Sequence, residues 1–346
     1  MYLRQFVLGL LVLLIVTGCG PSDPPDEIPD LTVSLSVGTP SGSTVPANAS
    51  SVRMALFVFE AGRRSIQLEG LQLRHIGVGS FADLQNVYLY DFYTGLRLTP
   101  GRAVDASTGN VQFYLPMEAD RTIPAESSRT FMIVADFDAA SLGGQHGFEL
   151  VAATAIHSSD APAIEGEFPL TASLFTVGMP GPRIDVRSGA APADPSIGST
   201  DVEISSFTLT ASDRAVDLAH ITVSETGSIA AEDLTDLRLY VGTELVSSDM
   251  DVDPLYNHIA FGFPVPFRLE ADAPIEFSVR ATVGGPPGRI IRTCIEYPVD
   301  VYAVDAETGG EAAVCISPLA DGGCSAPGQG SFNGTVPGTY ISVTTR

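Results

Sequence analysis

The sequence predicts an all-β protein made of two tandem antiparallel β-sandwiches. Three observations predict it. The first is a self-repeat: Val52–Tyr90 superimposes on Val202–Tyr240 at a shift of 150 positions without a gap, and ten of the 39 positions are identical. The identities include Phe57/Phe207, Leu68/Leu218, Asp83/Asp233, Leu89/Leu239 and Tyr90/Tyr240, and Met54/Ile204, Leu71/Ile221 and Val87/Leu237 swap like for like. An ungapped repeat of that length marks two copies of one folding unit. The second is period: short apolar runs alternate with polar residues between turn signals, and no stretch keeps a helical period. The third is composition. Gly 34 and Pro 25 supply turns, and 45% hydrophobic residues supply a core.

The first unit spans 31–178. Leu31, Val33, Leu35 and Val37 alternate as a strand with one buried face. Gly38–Ser51 is a loop rich in Gly, Pro, Ser and Thr, and Val52–Phe59 is a nearly all-apolar strand. Ile66, Leu68, Leu71, Leu73 and Ile76 keep a period of two apart from one slip, which predicts a bulge near Gly70. Asn86–Phe92, Val111–Leu115, Thr130–Phe137, Gly147–Ile156 and Leu170–Val177 complete eight or nine short strands. That pattern is expected of an immunoglobulin-like sandwich, which buries one face of every strand.

Met179-Pro180-Gly181-Pro182 is a short, stiff boundary that restricts the angle between the units. The second unit, 182–346, repeats the first. Val111–Pro116 realigns with Ile259–Pro264 at an offset of 148, and Phe131–Phe137 with Phe277–Val283 at 146. A Gly-rich segment, Ser317–Phe332, is inserted before a last strand at Thr339–Thr345.

The chain opens with Arg4 and an apolar run, Phe6–Val16, too short to span a bilayer. Val16-Thr17-Gly18-Cys19 resembles the bacterial lipoprotein lipobox. The resemblance implies a signal peptide at 1–18, cleavage before Cys19, and palmitate-type acyl chains on that cysteine. Several buried chains give stable anchoring. Gly20 follows where an Asp would signal inner-membrane retention, so the expected address is the outer membrane or cell surface. Residues 19–30 carry the lipidated Cys and an acidic, Pro-rich spacer, GPSDPPDEIPD.

The 346 residues carry a net charge of −23, and all 18 basic residues are arginine. Such a surface repels nucleic acid and anionic membranes, so no nucleic-acid partner is expected. The acidity reads as a soluble acidic surface, as salt adaptation, or as diffuse cation binding.

Asp83 and Asp233 each precede an aromatic-ending strand and are expected to cap turns, with cation ligation as the alternative. Tyr90 and Tyr240 alternate out of phase with the leucines before them, which predicts packing and a hydroxyl bond at a domain end. Three cysteines lie beyond the anchor: Cys294, Cys315 and Cys324. Export favours a disulfide. A hairpin around Ala306–Gly309 would set Cys294 near Cys324, so Cys294–Cys324 is the first expectation, with Cys315 buried and free, and Cys315–Cys324 the second. Asp249, Asp251 and Asp253 alternate like the start of a calcium loop, although Pro254 stands where that motif needs Gly and Ala260 where it needs Glu. Ca²⁺ at these aspartates is the one cofactor considered, and no other is expected. His75, His146, His157, His220 and His258 are scattered, and no nucleophile elbow, phosphate loop or HExxH motif occurs. The expectation is a protein that is not an enzyme. Tyr88, Phe92 and Tyr93 are candidates for a sugar platform, although aromatic strands in sandwiches usually pack.

The pattern Asp83-Leu84…Val87…Leu89-Tyr90, repeated as Asp233-Leu234…Leu237…Leu239-Tyr240, resembles tandem immunoglobulin-like modules of bacterial surface proteins. It also resembles the N-terminal module of bacterial neuraminidase-like proteins, which implies a noncatalytic accessory module. The function expected is a lipid-anchored envelope scaffold or adhesion module that meets another envelope protein or a surface polymer. The alternative is a glycan- or Ca²⁺-binding lipoprotein that uses loops at a sandwich end.

Overall fold

A computed structural model of the protein describes residues 29–115, 121–190, 192–248, 251–316 and 341–344. The leader, Cys19, Asp249, Cys324 and the Gly-rich segment fall outside the described residues. In the first half the strands are β1 (Leu31–Leu35), β2 (Thr44–Pro46), β3 (Val52–Ala61), β4 (Ile66–Ile76), β5 (Leu84–Asp91), β6 (Asn110–Tyr114), β7 (Thr122–Ile123), β8 (Ser128–Phe137), β9 (Gln145–Leu150), β10 (Ile156–Ser158), β11 (Ile164–Glu165), β12 (Leu170–Thr171) and β13 (Phe175–Gly178). In the second they are β14 (Arg183–Ser188), β15 (Val202–Ser212), β16 (Val216–Glu225), β17 (Leu234–Val241), β18 (Glu244–Ser248), β19 (His258–Leu269), β20 (Ile275–Val283), β21 (Ile290–Ile291), β22 (Thr293–Cys294), β23 (Val301–Asp305), β24 (Ala313–Ile316) and β25 (Ile341–Ser342).

The first half has one sheet in the order β11-β1-β3-β8-β5 and a second in the order β10-β4-β9-β13-β2, with β6 and β7 on β4 and β12 on β9. The second half repeats the plan as β18-β17-β20-β15-β14-β24 and β19-β16-β22, with β23 on β16. Each half has its own core. Phe57, Phe59, Phe113, Phe131 and Phe148 lie in one, and Phe207, Phe261 and Phe277 in the other. Full burial of each such ring stabilises by about 1.5–3 kcal/mol.

Three edge pairings correct the wholly antiparallel expectation: β1–β11, β2–β13 and β14–β24 run parallel. Each joins a short edge strand to a chain segment that returns from the opposite sheet. The strands of the first half also outnumber the eight or nine expected, because several edge strands have only two or three residues. Runs that short have no readable period.

The slip in β4 is a bulge. Leu68 pairs with Ser158 and Gly70 with His157, so Glu69 is skipped. The second copy skips Ala219 between Leu218 and His220. A Cβ on Gly70 would stand 2.1 Å from the Phe113 carbonyl oxygen, so glycine lets β6 approach.

One turn recurs outside the aligned repeat. Asp91–Gly95, Asp105–Gly109 and Asp305–Gly309 all spell Asp-x-x-Thr-Gly. In each, the glycine N–H donates to the aspartate carbonyl, and the glycine holds φ of 69°, 71° or 73°. The aspartate Oδ1 accepts backbone N–H groups inside the turn, from Tyr93 and Thr94, from Ser107 and Thr108, and from Glu307. Asp253–Asn257 is a fourth copy, with Asn257 at φ 54° in the glycine's place.

Candidate functional site

The most elaborate polar arrangement lies where the two halves meet. Leu56 in β3, Tyr88 and Tyr90 in β5, and Met132 and Val134 in β8 point away from the first half's core. They are buried nonetheless, in a separate cluster completed by Val299 and flanked by Tyr297 of the second half. The 3₁₀ turn Pro298–Asp300 seats these residues on the sheet.

Arg97 crosses this seam. Its Nε donates to Asp300 Oδ1 at 3.2 Å and its Nη2 to Glu296 Oε2 at 2.7 Å. Its guanidinium lies 4.2 Å from the centre of the Tyr297 ring. Burial opposes the charge, but Asp300, Tyr90 and Glu296 outweigh it and raise the Arg97 pKa. Asp300 Oδ2 meanwhile accepts from the backbone N–H of Glu296 and Tyr297. Such a buried pair costs desolvation and is strongly destabilising to break, which suits a device that fixes geometry.

Beside it, Asp136 Oδ1 accepts from Ser51 N at 2.9 Å and Oδ2 from Tyr88 Oη at 2.8 Å. Burial pushes the Asp136 carboxyl up to about 7, against those hydrogen bonds. Ser51, held at φ 64°, donates its hydroxyl to the Val299 carbonyl. Ser50 N donates to Ala312 O, and its Oγ accepts from Val314 N. At the boundary, Asn48 Nδ2 donates to Gly181 O and Gly181 N donates to Asn48 Oδ1. The linker is therefore pinned at both polar groups of Gly181.

The residues singled out from sequence are distributed as follows. Tyr90 belongs to the seam, whereas Tyr240 is half-buried and donates its hydroxyl to Asp201. Asp83 Oδ2 accepts from Ser80 N and lies 3.2 Å from His146 Nε2. Asp233 accepts Gly284 N at its carbonyl. Asp253 caps its own turn, and the turn sets Tyr256 against the first half's core. Among the described residues no group of three or more His, Cys, Asp or Glu is placed to hold a metal. Phe92 and Tyr93 stand exposed on the Asp91–Gly95 turn, their rings 5.4 Å apart, while Tyr88 is wholly buried.

Cys294 corrects an expectation. It is a free, buried thiol, whose pKa burial pushes up to about 12, and Cys315 is the disulfide-bonded cysteine. The hairpin expectation fails because β23 and β24 do not continue as one ladder. β23 pairs with β16, and the chain then crosses to the other sheet, where β24 lies beside β14. The sulfur that joins Cys315 lies outside the described residues.

Two histidines far apart in sequence meet in the core. His75 Nε2 and His146 Nδ1 are 3.0 Å apart. Burial pushes His75 down to about 4 and lowers His146, so the pair sits neutral beside Asp83.

No protein-family model and no curated protein sequence matches the chain. Among solved structures it overlaps the C-terminal domain of the AgI/II polypeptide BspA of Streptococcus agalactiae at 9% identity and a TM-score of 0.24, over 82% of this chain and 97% of that one. The C-terminal domain of the Streptococcus pyogenes antigen I/II-family protein AspA gives 8% and 0.24, over 83% and 98%. A partial N-terminal region of the enterococcal surface protein gives 9% and 0.25, over 86% and 96%. Likeness at these scores carries no functional information.

Proposed function

We propose that this chain is an exported protein held to the cell envelope by lipid on Cys19, and that its two halves act as one stiff, noncatalytic scaffold or adhesion body. The observation that carries the reading is the Arg97–Asp300–Glu296 cluster, because a buried ion pair across a seam favours one relative orientation of the halves. The acidic, Pro-rich sequence that precedes this body suits a spacer between it and the lipid. The partner class is another envelope protein or a surface polymer.

Mass spectrometry of the protein extracted from its native membrane tests the anchor, with Cys19→Ala alongside. An N-terminal peptide that begins at Cys19 and carries acyl mass supports the reading. A free Cys19, or a variant that stays equally membrane-bound, defeats it.

The exposed Phe92–Tyr93 pair favours a second reading, glycan binding at a loop. Pull-down on purified envelope polysaccharide, compared with Phe92→Ser/Tyr93→Ser, tests whether this aromatic pair is the contact. Equal retention of both proteins would remove it.

A further inference from the structure

The seam is not filled along its whole length. Next to the buried cluster it leaves a cleft of about 300 Å³, with walls from both halves. That volume is at the lower end of what small-molecule sites occupy. Met132, Val134 and Val299, which line its inner wall, are apolar and buried. The polar side chains are of another kind. Arg53 is exposed in the cleft wall, with its guanidinium 5.0 Å from the centre of the Tyr302 ring. His220, whose Nε2 lies 2.9 Å from Thr222 Oγ1, faces it from the second half.

The charge of this lining runs against the rest of the molecule. The chain carries 41 acidic residues against 18 basic ones, yet no Asp or Glu lines the cleft. Glu311, the acid that feels the Arg53 charge, is not among the lining residues. Arg53 forms no salt bridge among the described residues, so its guanidinium edge is available. A cation beside an apolar wall, within an acidic exterior, selects a ligand with one negative group and an apolar body. It also disfavours multiply charged cations and neutral sugars.

We propose that this cleft binds a small monocarboxylate with an aromatic or aliphatic body, its carboxylate on Arg53 and its body against Met132, Val134 and Val299. A guanidinium grips a carboxylate through two parallel N–H groups, and the Tyr302 ring orients that fork. Because both halves supply the walls, an occupant also ties them together, and stability rises with ligand concentration.

The test is calorimetric titration of the mature chain with benzoate and with hexanoate, each compared with its neutral analogue, benzyl alcohol or hexanol. At least one carboxylate is expected to bind saturably in the millimolar range, and its alcohol at least about tenfold more weakly. Arg53→Gln, at an exposed position, is expected to keep the melting temperature and to weaken the carboxylate about tenfold or more. The Met132 ε-methyl NMR signal is expected to shift with the same saturation curve. Absence of saturable binding by both carboxylates overturns the proposal. So does an alcohol that binds as well as its acid, or an Arg53→Gln protein that binds unchanged.

Discussion

Arg97 Nε donates to Asp300 Oδ1 at 3.2 Å, and these two side chains, 203 positions apart, are only 5% and 1% exposed. Removing the carboxylate leaves a buried guanidinium with Glu296 as its remaining carboxylate partner. Asp300→Ala is therefore expected to lower stability by roughly 3 kcal/mol, the low end for breaking a buried pair. Urea unfolding checks it, and the single transition is expected to split as the halves lose their coupling. A loss below about 1 kcal/mol would mean that the pair does not hold the seam.

Stability is expected to depend on pH through Asp136. In the folded chain its carboxyl keeps the proton up to about 7, against an ordinary value of 3.8. Between those values the folded state binds more protons than the unfolded one. The contribution is full below the lower value and is lost as pH rises through the upper one. Glu225, pushed by burial up to about 7, acts in the same direction. His258, pushed down to about 4 by burial and by Arg97, acts oppositely, and its contribution is lost as pH falls from 6.5. Asp136→Asn isolates the first effect. Relative to wild type, its urea midpoint is expected to be higher at pH 8 than at pH 5, and an equal difference at both would refute the assignment.

The two described cysteines differ in chemistry. Without reductant, Cys294 is expected to resist a maleimide in the native protein and to react once urea is added. Peptide mapping under the same conditions is expected to link Cys315 to Cys324, the pairing left when Cys294 is free and Cys19 is acylated. A Cys294 peptide recovered in a disulfide would contradict both statements.

Gly309 holds φ 73° in open space, so a methyl added there would meet no neighbour that complicates the reading of a substitution. Gly309→Ala is expected to cost about 1 kcal/mol in thermal unfolding, purely from the backbone. Gly309→Asn is expected to cost less, since Asn257 takes the same position in the fourth turn. Equal costs would show that the left-handed conformation is not the constraint.

The strands and the bulge at Glu69 were legible because each is a local pattern, written twice. The seam was not, because nothing local joins Arg97 to Asp300. Yet a signal was there. On the outward face, Leu56, Tyr88, Met132 and Val134 in the first copy stand against Ser206, Arg238, Ser278 and Arg280 in the second. Where one copy of a repeat is greasy and the other polar at the same outward positions, the greasy one marks an apolar contact, even though Ser206 and Ser278 are buried as well. The Cys294–Cys324 pairing fails for the converse reason: the local hairpin does not continue past the point where the chain changes sheets.

That inequality between the copies also fixes how far this way of stacking can go. A further module seated on β17 and β20 as the second half sits on β5 and β8 would have to bury Arg238 and Arg280. Each ion taken out of water costs several kcal/mol unless it is well paired, and these two arginines share the single carboxylate of Asp201. Arg280 already spans the Tyr240 ring and Asp201, an arrangement suited to solvent. The first half's sheet is thus a socket that its repeat does not reproduce, and two copies of one folding unit meet as unlike partners.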